Sequence, residues 1–163
     1  MVHLIKLLSR SPDETMEIGK RIGRELLRGD AVALTGVLGS GKSVLARGIL
    51  KALGVGGELP SPSFIIVASY QGTQPVNHID LYRLRTAEEA SAVGIEDLLF
   101  SDHVNVIEWA EKIRDMLPES RIEIAIGVRD EPDERLLTIA PGDERMKERL
   151  VPLAQDLIRM RTR

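Results

Sequence analysis

The spacing of apolar residues changes repeatedly along this chain, and each change marks a new element. Val2 to Leu8 is mostly apolar and predicts a strand, although His3 and Lys6 interrupt it. Ser11-Pro12-Asp13-Glu14 then carries the signals of a helix start: Ser11 can cap, Pro12 suits the first helical position, and Glu14 closes a capping box. The helix is expected to run to about Arg28, with Ile18, Ile22 and Leu26 on one face. Gly29-Asp30 is a turn signal, and Ala31 to Thr35 is an unbroken run of strand length, as expected of a strand covered on both sides. From Lys42 to Leu53 the period is helical again, with Leu45, Ile49 and Leu53 four apart and Gly54 placed to end the helix.

The second half alternates in the same way. Phe64 to Tyr70 and Val76 to Tyr82 predict two strands joined by Gln71-Gly72-Thr73-Gln74-Pro75. Thr86-Ala87-Glu88-Glu89 is a second capping box, opening a short helix that Gly94 stops. Val104 to Ile107 is another apolar strand, ending at Glu108-Trp109. Arg121 to Val128 and Arg135 to Ala140 read as a hairpin around Asp130-Glu131-Pro132-Asp133, and a last helix from roughly Asp143 is expected to kink at Pro152. Strands interspersed with helices argue for an α/β fold.

Composition narrows the function by exclusion. The 163 residues suit one domain, with no repeat and no linker-like tract to divide them. Lys and Arg total 22 against 25 Asp and Glu, so the net charge of −3 supplies no global attraction to nucleic acid, and aromatics at 3% are too few for a base-stacking platform. The absence of cysteine removes disulfides, thiolate nucleophiles and Cys-ligated zinc, and it suits a reducing cytoplasm. The apolar start is too short for a signal segment, and no stretch approaches the roughly 20 apolar residues that cross a bilayer, so a membrane role is not expected.

Chemistry enters at Gly36-Val37-Leu38-Gly39-Ser40-Gly41-Lys42-Ser43, which fits the phosphate-loop spacing of glycine, four residues, glycine, lysine, then serine or threonine. Gly36, Gly39 and Gly41 allow backbone conformations in which the N–H groups of the Leu38 to Ser43 stretch, Ser40 included, converge on phosphate oxygens. A helix N-terminus follows and adds partial positive charge. Lys42 can reach the β and γ phosphates, and the Ser43 hydroxyl can ligate Mg²⁺. The loop lies between a buried strand and a helix, which leads to a P-loop NTPase-like, three-layer α/β domain with a mainly parallel sheet and the C-terminal hairpin. Carboxylates that complete such a site belong at strand ends. Asp80 and Glu108 meet that condition, either one holding Mg²⁺ or orienting the attacking water. Ser63, just before a strand, offers a hydroxyl for the γ phosphate.

The phosphate loop, Ser61-Pro62-Ser63-Phe64, His78-Ile79-Asp80-Leu81-Tyr82-Arg83-Leu84 and Ile107-Glu108-Trp109 occur in an order and spacing that resembles the TsaE (YjeE) family, bacterial ATPases of tRNA threonylcarbamoyladenosine formation. The likeness spans about Ser11 to Glu111. It implies that Lys42 and Ser43 handle phosphates and metal, that Glu108 contributes to the Mg²⁺ site, and that Asp80 serves the metal or the water. It also implies that Trp109 and Tyr82 shape the pocket and that Ser11 and Arg135 approach the nucleotide. ATP and Mg²⁺ are the implied cofactors. The implied partners are protein subunits of the tRNA threonylcarbamoyl transferase complex, of the TsaD and TsaB type, with tRNA met only indirectly. Two positions depart from the family pattern: Val37 stands where an acidic residue is usual, and Ser63 replaces threonine while keeping the hydroxyl.

Two other uses of the loop remain open from the residues. A small-molecule kinase would need an acceptor or lid segment, and none is evident in this length. A GTP-driven switch would carry Asn-Lys-x-Asp to read guanine, which the chain lacks. His3, His78 and His103 have no metal-ligand spacing and read as packing or surface residues, and Arg159, Arg161 and Arg163 read as a solvated basic helix end.

Overall fold

The computed structural model describes residues 4–59 and 66–160. Strand β1 (Ile5–Ser9) leads into α1 (Pro12–Arg24), β2 (Ala31–Thr35) and α2 (Lys42–Ala52). The hairpin strands β3 (Val67–Gln71) and β4 (Pro75–Asp80) precede two short helices, α3 (Ala87–Ala92) and α4 (Ile95–Leu99), and then β5 (Val104–Glu108). A 3-10 segment, Ala110–Met116, breaks its helical backbone at Ile113 (φ −127°). The chain continues through β6 (Arg121–Val128), β7 (Arg135–Pro141) and α5 (Glu144–Met160).

Both helix caps form, with the glutamate half of each capping box shifted by one residue. The Ser11 hydroxyl accepts from the Glu14 N–H at 3.1 Å and that of Thr86 from the Glu89 N–H at 3.2 Å. In each box the glutamate reaches back one residue before the cap, to the Arg10 N–H at 2.7 Å and the Arg85 N–H at 2.8 Å. Helix α1 ends at Arg24 rather than near Arg28, yet Leu26 stays with Ile18 and Ile22 in the core. Helix α5 passes through Pro152 as one helix. Pro152 lies on its exposed side, where water can satisfy the carbonyl that the ring leaves free.

The seven strands form one sheet in the order β1-β7-β6-β2-β5-β4-β3. The sheet is mixed, which corrects the expectation of a mainly parallel one: β6-β2, β2-β5 and β5-β4 are parallel, whereas β1-β7, β7-β6 and β3-β4 are antiparallel. For β3-β4 and β7-β6 the reason is connection length, whereas β1 meets β7 from the far end of the chain. Parallel neighbours need a crossover of a dozen or so residues, and the short turns after β3 and β6 can only reverse the chain.

Strand alternation divides the core. Val32, Leu34, Val104 and Val106 pack under α1, α2 and α5, while Ala31, Ala33 and Ile107 pack under α3, α4 and the 3-10 segment. The central strands are therefore covered on both faces, as their apolar runs indicate. Arg149 of α5 donates to both carboxylate oxygens of Asp30 at 2.7 and 2.6 Å, tying that helix to the start of β2. In the central parallel register Leu34 pairs with Glu108 and Glu108 with Asp80, so the ends of β2, β4 and β5 share one edge of the sheet.

Candidate functional site

At that edge the chain leaves β2 and turns through the glycine loop into α2. Gly36 has φ +147°, and a Cβ there would lie 2.6 Å from both the Ile126 carbonyl oxygen and Ser40 Oγ. The loop can begin its turn this close to β6 only with glycine. Gly41, at φ +104°, precedes α2 and has only Thr15 Cγ2 near its missing Cβ, at 4.0 Å. Its side of the loop is open.

Lys42 is buried in the mouth of the loop, where its ammonium donates to the Gly36 carbonyl at 2.6 Å and the Val37 carbonyl at 3.0 Å. The ammonium also sits 3.9 Å from the Trp109 ring centroid, a cation–π contact. Burial lowers the Lys42 pKa, opposed by the nearby charges of Glu108, Glu111 and Asp80. Ser43, one residue into α2, donates its hydroxyl to Glu108 Oε1 at 2.8 Å. Glu108 is 1% exposed and meets His78 Nε2 through its other oxygen at 2.6 Å. Asp80 accepts from the Tyr82 N–H at 2.9 Å. Its pKa is raised, chiefly by burial and further by the Glu108 charge, against lowering by the Tyr82 hydrogen bond, His78 and Lys42.

These groups line a cavity of about 300 Å³ bounded by Leu38 to Val44, Asp80, Tyr82, Glu108 and Trp109. Trp109 has φ +60°, the one positive φ outside glycine among the described residues, and its ring lies 5.3 Å from that of Tyr82. Lys112 reinforces this wall by donating to the carbonyls of Leu81, Tyr82 and Leu84 at 3.0, 2.7 and 2.7 Å. A smaller cavity of about 120 Å³ adjoins the loop and is lined by Pro12, Thr15, Gly39, Gly41, Val44, Asp133 and Arg135. Arg135 donates to the Ser40 carbonyl at 3.0 Å and the Gly39 carbonyl at 3.3 Å.

The structure thus gathers Gly36, Leu38, Gly39, Ser40, Gly41, Lys42, Ser43, Asp80, Glu108, Trp109 and Arg135 around one loop. Ser11 stands slightly apart: its hydroxyl caps α1, and its neighbours Pro12 and Thr15 line the smaller cavity. Ser63, with the rest of Ser61 to Phe64, lies outside the described residues, as do Arg161 and Arg163. Among the residues that sequence reasoning did not assign to this site are His78 and Lys112. His78 read as a packing or surface residue although it lies two before Asp80, on the same face of β4, and that spacing was the available signal. Lys112 had no signal, because its carbonyl partners depend on the fold of the segment after Asp80.

A glycine loop between a central parallel strand and a helix, with strand-end carboxylates beneath its lysine and serine, defines a P-loop-like α/β protein. The family model for "Threonylcarbamoyl adenosine biosynthesis protein TsaE" matches residues 9–137. Two relatives carry the name tRNA threonylcarbamoyladenosine biosynthesis protein TsaE. The one from Treponema pallidum (strain Nichols) is 35% identical over 124 residues, covering 76% of this chain and 92% of that protein. The one from Bacillus subtilis (strain 168) is 33% identical over 135 residues, covering 82% and 84%. Among solved structures, Bacillus subtilis YdiB superposes with a TM-score of 0.79 at 28% identity, covering 98% of this chain and 97% of that one. The chain belongs to the TsaE family.

Proposed function

We propose that this chain is the ATP-binding and ATP-hydrolysing subunit of tRNA threonylcarbamoyladenosine biosynthesis. One observation carries the reading: the first turn after a phosphate loop presents Ser43 directly to a buried strand-end carboxylate, Glu108 Oε1, at 2.8 Å. One hydroxyl beside one carboxylate is the hard-oxygen donor set that Mg²⁺ takes alongside phosphates and waters. The open side of Gly41 leaves room for phosphate oxygens against the N-terminus of α2. The residues present therefore fit Mg²⁺ and a nucleotide.

In this reading Ser43 and Glu108 hold the metal, with Asp80 beside them to bind it or to orient the attacking water. Bound Mg²⁺ would supply positive charge to offset the negative charge that develops on the phosphates during transfer to water. The Lys42 ammonium is a buried cation held by neutral carbonyls, so an anionic partner is favoured there. Trp109 and Tyr82 wall the phosphate end, and Arg135 braces the loop through its Ser40 and Gly39 carbonyls. The base would lie in the smaller cavity beside Pro12, Thr15 and Arg135, with Ser11 next to Pro12 at its margin.

The family supports action within the threonylcarbamoyladenosine machinery. In this reading the chain works in the cytoplasm and through TsaD-type and TsaB-type protein subunits rather than by direct reading of tRNA. The net charge of −3 agrees with that. Among the described residues no helix is long and apolar enough to cross a membrane. The test is ATP hydrolysis by the purified protein, alone and with those subunits and tRNA lacking the modification. Slow turnover alone and faster turnover in the assembly are expected. Failure to bind or hydrolyse ATP in either setting would overturn the reading, and tight tRNA binding by the isolated chain would overturn its indirect part.

A further inference from the structure

The Glu108 carboxylate is held at both oxygens, and the two holders come from different elements. Oε1 accepts from Ser43 Oγ of α2, while Oε2 lies 2.6 Å from His78 Nε2 of β4. Strand alternation places His78 on the same face as Asp80, and the β4-β5 register brings that face beside Glu108. His78 is 7% exposed and Glu108 1%, so no bulk water replaces either partner. A carboxylate has only acceptor oxygens, so the imidazole Nε2 supplies the hydrogen of this contact. A carboxylate held at one oxygen can rotate about its last bond, whereas one held at both keeps its plane.

We infer that His78 is a positioning residue: through Nε2 it anchors Glu108 Oε2 so that Oε1 is delivered to Ser43 and to the metal that Ser43 and Glu108 hold. The inference rests on the reading of those two residues as the metal site. His78 itself touches neither phosphate nor metal in this role. Groups that orient a ligating side chain typically contribute 10–100-fold to metal affinity. Without the imidazole donor, Oε2 is left buried and unpaired, and the carboxylate is free to turn toward the Lys42 side of the cavity.

The experiment compares His78→Leu, which keeps bulk without a donor, with His78→Gln, whose amide N–H replaces Nε2. Mn²⁺, used in place of Mg²⁺, is titrated by electron paramagnetic resonance into each protein with ADP bound. ADP binding in chelator and ligand-free thermal melting are measured beside it. H78L is expected to bind Mn²⁺ about 10–100-fold more weakly, with ADP affinity in chelator unchanged, and H78Q is expected to recover most of the loss. Wild-type Mn²⁺ affinity in H78L, or equal loss in H78L and H78Q, overturns the inference. Should H78L not fold, H78Q against His78→Asn decides, since the shorter amide cannot reach Oε2: equal Mn²⁺ affinity in those two overturns it, and a clear advantage for Gln upholds it. Absence of any Mn²⁺ binding by the wild-type ADP complex would remove the metal site itself, a failure distinct from loss of the His78 role.

Discussion

Gly48→Ala tests whether helices α1 and α2 cross as closely as the site's support requires. A Cβ on Gly48 would lie 2.3 Å from the Met16 carbonyl oxygen and 3.1 Å from Gly19 Cα and Lys20 N. Ordinary contact is nearer to about 3.5 Å, so one helix must retreat by roughly 1 Å. The obstacle is backbone of α1 and cannot swing aside as a side chain would. Overpacking of this kind costs up to about 3 kcal/mol, while alanine gains about 1 kcal/mol over glycine inside a helix. The net loss is about 2 kcal/mol, which for a domain of this size lowers Tm by about 4–8 °C. Thermal and urea unfolding of the ligand-free protein measure it, with the exposed neighbour Arg47→Ala as a control expected to stay within about 0.5 kcal/mol. A G48A variant that melts at or above the wild type would refute the close crossing, because helix propensity alone predicts that sign. The result bears on function because α2 carries Lys42 and Ser43 in its first turn.

Lys42→Ala should abolish ATP hydrolysis or sharply weaken ATP binding in calorimetric titration while leaving the melting curve cooperative; wild-type binding and turnover in that variant would remove the phosphate-loop assignment. Because burial raises the Asp80 pKa above its unfolded value, the folded protein loses stability as pH rises through that pKa. Asp80→Asn keeps an acceptor for the Tyr82 N–H and removes this cost, so it should melt higher than wild type at neutral pH, by a margin that shrinks on acidification, while losing hydrolysis. A lower Tm at neutral pH would contradict the burial argument. ATP should outcompete GTP in a displacement assay, since the chain has no Asn-Lys-x-Asp to read guanine; a preference for GTP would revive the switch reading.

What the sequence determined by itself was local. The phosphate-loop spacing, both helix caps, the carboxylates at the ends of β4 and β5 and the bounds of the β6-β7 hairpin all follow from signals a few residues long. Such signals work because capping hydrogen bonds, turn conformations and strand alternation involve neighbours in the chain. The mixed sheet was decided elsewhere: β1 reaches β7 across nearly the whole sequence, and no local pattern records that pairing. Gly19 lies inside α1 and Gly48 inside α2, and only the fold sets them against each other, where nothing larger than hydrogen fits. His78 read as a packing or surface residue until β5 brought Glu108 to 2.6 Å from it. In each case the deciding partner is distant in the chain, and a distant partner exerts its steric or electrostatic effect only after the sheet has formed.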